Sequence, residues 1–126
     1  MKLREIRSFE EVMRYIDQME CFHDYRTGGF IYNGDGASIY LEEDWPLEMI
    51  KDYEGAVWRI DLIGLSDLRF ALDTACGFWV QEIVRGEKPG EVLIDLENGS
   101  IRAIAEDLRI ILIKPGNREE PVYFPA

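Results

Sequence analysis

The sequence predicts an α+β, mainly β domain: an N-terminal helix packed on an antiparallel sheet, folded as a sandwich or partly open barrel. Three features carry this expectation. A capping box opens a helical repeat near the N-terminus. Two glycine-bearing links each separate a pair of strand-like runs. Further alternating runs follow at strand spacing. The 126 residues suit a single domain over 1–126, with 115–126 as an irregular tail. Hydrophobic residues at 47 % and charged residues at 31 % match globular usage and exclude disordered, collagen-like and coiled-coil classes. No apolar run is long enough for a membrane-spanning helix.

The helix begins at Ser8-Phe9-Glu10-Glu11, where the Ser8 hydroxyl can accept from the Glu11 N–H while the Glu11 carboxylate reaches back. Val12, Ile16 and Met19, with Met13 beside them, mark one apolar face, so the helix is expected to run to about Met19 or Glu20. Next, Gly29–Tyr32 and Ala37–Leu41 flank Asn33-Gly34-Asp35-Gly36. A turn centred on Gly34-Asp35 pairs Phe30 with Ile39 and Ile31 with Ser38. Asp44 to Ile50 reads as a short helix capped by Asp44, with Pro46 in its first turn.

Trp58, Ile60 and Leu62 alternate with Val57, Arg59 and Asp61, as in a half-buried strand. Leu65–Asp73 fits a strand or a helix, whereas Phe78–Arg85 reads as a strand. The second hairpin joins Glu91–Glu97 to Ser100–Ala105 through Asn98-Gly99. A two-residue type I′ turn there pairs Leu96 with Ile101, Asp95 with Arg102, Ile94 with Ala103 and Leu93 with Ile104. Leu108–Lys114 is an apolar, central strand, separated from the hairpin by Glu106-Asp107. The prolines of the tail, Pro115, Pro121 and Pro125, make it irregular.

Fourteen Lys and Arg against 25 Asp and Glu give a formal net charge of −11. Such a surface repels nucleic-acid backbones and anionic membranes and favours a protein partner with a basic surface. The basic start, Met1 to Arg7, runs into Ser8-Phe9-Glu10-Glu11 without an apolar stretch, so no secretory signal is expected and the location is expected to be cytoplasmic. Cys21 and Cys76 are too few for a disulfide framework.

Standard catalytic signatures are missing. The lone His23 excludes sites that need two or more imidazoles, and Cys-x-His is not a finger spacing, so neither metal nor cofactor is expected. Gly34-Asp35-Gly36 lacks the Lys and the helix of a phosphate loop. Cys76 and His23, with Asp24 or Asp73 orienting the imidazole, form the one arrangement with the elements of a nucleophile and base. His23, Asp24 and Cys76 are therefore read either as a pocket or as a structural corner. The candidate partner-binding residues are Glu42, Glu43, Asp44, Glu106 and Asp107, expected in solvated segments at strand ends, and Trp45, an aromatic rimmed by acids.

The order of Phe22-His23-Asp24, a glycine-turned hairpin, the alternating Val57–Leu62 strand and a last hairpin running through Ala103–Leu108 resembles a loose group of small bacterial domains with an early Phe-His-Asp motif. Many of these are uncharacterised. Some are immunity proteins that bind and block a toxin. The resemblance implies a non-enzymatic binding role and carries no catalytic residue over. Two other readings stay open: a small-ligand-binding protein or enzyme with a pocket at His23 and Cys76, and a structural homo-oligomer, with a homodimer formed through strand edges or apolar patches.

Overall fold

The computed structural model describes residues 4–43, 54–72, 79–117 and 122–124. It contains strand β1 (Glu5–Arg7), helix α1 (Phe9–Gln18), a tight turn at Glu20–Phe22, and strands β2 (Arg26–Tyr32), β3 (Gly36–Glu42), β4 (Val57–Leu72), β5 (Val80–Arg85), β6 (Glu91–Leu96) and β7 (Gly99–Lys114). All strand pairs are antiparallel, in the order β2-β3-β4-β7-β6-β5, with β1 on β7. The sheet curls into a half-barrel with the helix packed on it, so the partly open barrel is the form adopted.

Among the described residues, its two outer strands meet at one end. Arg26 bridges Trp79, the Asp24 N–H donates to the Val80 carbonyl, and the Val80 N–H donates to the Tyr25 carbonyl. Helix α1 buries Val12, Met13, Tyr15 and Ile16 against the core. Ser8 caps it as expected, its Oγ accepting from the Glu11 N–H at 3.3 Å, but the Glu11 carboxylate turns to Arg14 instead of reaching back. Trp58, Ile60 and Leu62 face inward and are buried. Trp58 Nε1 donates to Tyr15 Oη at 3.1 Å, and that hydroxyl donates to the Tyr123 carbonyl at 2.8 Å. A buried polar pair is thus satisfied, and the C-terminal tail is tied to the helix.

The first hairpin has the expected register, with Phe30 opposite Ile39 and Ile31 opposite Ser38. The second does not. Leu96 pairs with Gly99, Asp95 with Ser100 and Ile94 with Ile101, so the loop is Glu97-Asn98 rather than Asn98-Gly99. Gly99 is pinned inside the sheet: a Cβ on it would lie 1.9 Å from the Ala71 carbonyl of β4, and its φ is 144°. Shifting each partner by two residues keeps every side chain on its face, so the apolar pattern cannot tell the two registers apart.

One ambiguity resolves, and two features differ from the sequence reading. Leu65–Leu72, ambiguous in sequence, continues β4, which runs 16 residues. The two runs Ser100–Ala105 and Leu108–Lys114 fuse into one strand, β7. Glu106 and Asp107 consequently lie in mid-strand and not at a strand end. Strand β1 was not foreseen, because three residues paired onto β7 carry no alternation of their own. Asp73, Phe78 and the Asp44–Ile50 helix lie outside the described residues.

Candidate functional site

The corner between α1 and β2 departs from ordinary backbone geometry. Glu20, Cys21, Phe22 and Asp24 have φ of 55°, 57°, 54° and 68°, where side chains other than glycine are disfavoured. Each such residue costs on the order of 1–2 kcal/mol, so the surrounding structure must hold it. Phe22 supplies the hold. It is fully buried, with its ring 5.3 Å from Trp58 and 5.1 Å from Tyr25, both edge-on. The backbone bonds of Asp24 and Tyr25 to Val80 fix the far side.

This arrangement turns Glu20, Cys21 and His23 outward onto β5 and β6. Together with Gln81, Glu82 and Asp95 they line an open hollow of about 570 Å³. His23 Nδ1 donates to the Gln81 carbonyl at 2.8 Å, since a carbonyl can only accept. Gln81 sits at a bulge between Val80 and Glu82, and beyond it Glu82 falls directly opposite Asp95. Bulges of this kind re-aim side chains beside functional sites.

A Glu–Asp cross-strand pair is a like-charge pair, which is destabilising in a sheet. Among the described residues neither Glu82 nor Asp95 makes an ion pair, and no Lys or Arg lines the hollow. The shifted β6–β7 register removes the cation that the sequence placed opposite Asp95. The expected pairing placed Arg102 opposite Asp95. In the structure Arg102 donates instead to Glu91 at 2.6 Å and holds that carboxyl below its usual range, while Asp95 faces Ser100 and Glu82.

Cys21 is not poised as a thiolate. Burial, and then the nearby Asp17 and Glu82 carboxylates, push the Cys21 thiol above its ordinary pKa, so it is held protonated at neutral pH. The His23 side chain is 60 % exposed and its Nε2 lies 3.4 Å from Asp24 Oδ2. Cys76 lies outside the described residues. No group of three metal-ligating side chains is found among the described residues.

The sequence-predicted acids do not form one patch. Glu42 lies opposite Val57 at one end of β4, whereas Asp107 lies opposite Ile63. At about 3.3 Å per residue these positions are roughly 20 Å apart. Glu43 is buried, and its carboxylate accepts from the Ala56 N–H at 3.4 Å, which corrects the expectation of a solvated group. Asp107 accepts from the Leu108 N–H, and Glu106 is exposed beside Gly64. Asp44 and Trp45 lie outside the described residues.

Between the two ends, Asp61 is clamped by Arg59 at 2.8 Å, Arg109 at 2.8 Å and Ser38 at 2.7 Å. Burial alone would raise its carboxyl; the three donors outweigh it and hold the group below its ordinary value. A larger hollow, of about 670 Å³, is bounded by the β5–β6 loop, Phe9 and Glu10. Arg85 is clamped there by both oxygens of Glu10 at 2.8 and 2.6 Å, and Glu87, Lys88 and Glu106 also line the hollow. Sequence reasoning singled out His23 in the smaller hollow and missed Glu20, Glu82 and Asp95. The signal was the acidic character of Glu20 and Glu82 around a histidine, but only the true register brings Asp95 to them.

Comparison with protein-family models, with curated proteins and with solved structures found no match to this chain. No helix among the described residues is long and apolar enough to cross a membrane.

Proposed function

We propose that the chain is an acidic, non-enzymatic protein-binding domain that engages and blocks a partner with a basic surface, in the manner of immunity and antitoxin proteins acting in the cytoplasm. The binding site is the hollow of Glu20, Glu82 and Asp95. The supporting observation is the Glu82–Asp95 like-charge pair, which lies across two strands with no Lys or Arg lining the hollow among the described residues. A sheet that folds for stability alone has no use for it. A partner's Arg or Lys seated between the two carboxylates turns repulsion into two attractive pairs. The corner that adds Glu20 is anchored by a buried phenylalanine, so the site is ordered before its partner arrives.

The experiment is capture from native lysate at low and at moderate salt, with the wild-type chain and Glu20→Gln/Glu82→Gln/Asp95→Asn as baits. A basic protein retained by wild type, weakened by salt and lost with the triple variant is the expected result. Recovery of no protein at either salt, or of the same proteins by both baits, overturns the reading.

A further inference from the structure

Strand β4 is longer than the strand beside it. β3 pairs with it only from Val57 to Ile63, and the Leu65 N–H is taken by the Asp35 carbonyl of the first hairpin. From Ser66 to Leu72, β7 flanks one side, and among the described residues no strand flanks the other. Arg69, Phe70, Ala71 and Leu72 are all exposed, Phe70 at 49 % and Leu72 at 39 %. Yet Phe70 lies opposite the buried Ile101, and Leu68 opposite the buried Ala103, so both belong to the inner face of the sheet. Seven residues of open edge carrying inward-facing Leu68, Phe70 and Leu72 form a template for another strand.

We propose that this edge pairs antiparallel with the same segment of a second copy of the chain, about a twofold axis at Leu68. The occupant follows from self-complementarity. Directly opposite residues must share a face, which restricts a symmetric antiparallel pair to registers centred on a residue. Centring on Asp67 sets Asp67 against Asp67. Centring on Arg69 sets Arg69 against Arg69. Centring on Leu68 sets Leu68 against Leu68 and Asp67 against Arg69 twice. Asp67 and Arg69 already share the outer face, 3.3 Å apart, and their side chains are 32 % and 69 % exposed. The pairing makes one continuous sheet across two half-barrels and brings the two Phe70 side chains onto one face. It is independent of the acidic hollow.

Sedimentation velocity and native mass spectrometry of the full chain test it. The wild type is expected to dimerise at concentrations below about 0.5 mM. Arg69→Asp and Asp67→Arg each place like charges across the axis and should weaken the dimer at least about tenfold. Mixed in equal amounts, the two variants should form a heterodimer, because every pair across the axis then joins an aspartate of one variant to an arginine of the other. The double variant Asp67→Arg/Arg69→Asp should dimerise like the wild type. Heterodimer formation also shows that the single variants are folded. A wild type that stays monomeric, single variants that dimerise unchanged, or monomeric variants whose mixture gives no heterodimer overturns the proposal.

Discussion

Removing one carboxylate from the Glu82–Asp95 pair should stabilise the protein. Directly opposite residues of an antiparallel pair have Cβ atoms about 5 Å apart. Two unit charges at that separation repel by about 0.8 kcal/mol in water, which is the fitting medium because Glu82 is exposed. A Debye length of about 8 Å at physiological salt cuts this to roughly 0.4 kcal/mol. Glu82→Gln or Asp95→Asn should therefore raise stability by about 0.4 kcal/mol at physiological salt and by about 0.8 kcal/mol at low salt. Urea unfolding followed by tryptophan fluorescence reads this as an increase in midpoint of a few tenths of a molar, at slopes of about 1–2 kcal/mol/M. The double variant should gain less than the sum of the two singles, because one neutralisation already removes the repulsion. Single variants that are destabilised at low salt, or gains that add fully, would show that the two carboxylates do not repel each other. A stabilising loss of charge is also the behaviour expected of residues kept for binding rather than for folding.

Other perturbations test the scaffold. Asp61→Asn should cost about 2–4 kcal/mol near neutral pH, somewhat below the figure for a fully buried pair because Arg59 and Arg109 stay partly exposed. The folded-state pKa of Asp61 is depressed, so its contribution is complete above the ordinary carboxylate value of 3.8 and is lost as pH falls through the lower, folded value. Urea midpoints of wild type and variant should accordingly converge only below about pH 4; a difference unchanged by acid would contradict the clamp. Tyr15→Phe leaves the buried Trp58 N–H without its acceptor and frees the Tyr123 carbonyl, at a cost of about 1–3 kcal/mol measurable by thermal unfolding. In a Cys76→Ala background, Cys21 should alkylate more slowly at pH 7 than a free thiol, and fast labelling there would show the thiolate that the neighbouring carboxylates oppose.

How much of this was legible in the sequence depended on whether the signal was local. The capping Ser8, the Gly34-Asp35 turn and the alternation of Trp58, Ile60 and Leu62 all act within a few residues, and each formed as read. The register of the second hairpin was not legible, because Gly99 answers to a distant carbonyl. Asn98-Gly99 carries the signature of a tight turn, yet Ala71 of β4 presses against Gly99 and draws it into the sheet. That register also left the site without its expected cation. Asp95 matched Arg102 in the expected hairpin and meets Glu82 in the fold. The corner at Glu20–Phe22 was equally hidden, since left-handed angles at Glu, Cys and Phe contradict local preference and exist only because Phe22 is held by Trp58 and Tyr25. Acid clusters adjacent in sequence, Glu42-Glu43 and Glu106-Asp107, proved a poor guide to acidic surface: one member of the first is buried, and the second sits in mid-strand.

If the acidic hollow is the binding site, the location of charge, rather than its total, selects the partner. Titration calorimetry with the captured basic protein tests this by comparing two triple variants of equal net charge. Glu20→Gln/Glu82→Gln/Asp95→Asn empties the hollow of charge, while Asp35→Asn/Glu54→Gln/Glu87→Gln removes three exposed carboxylates elsewhere. The predicted result is at least about a tenfold loss of affinity for the first and less than about threefold for the second. Equal losses from both variants would contradict it.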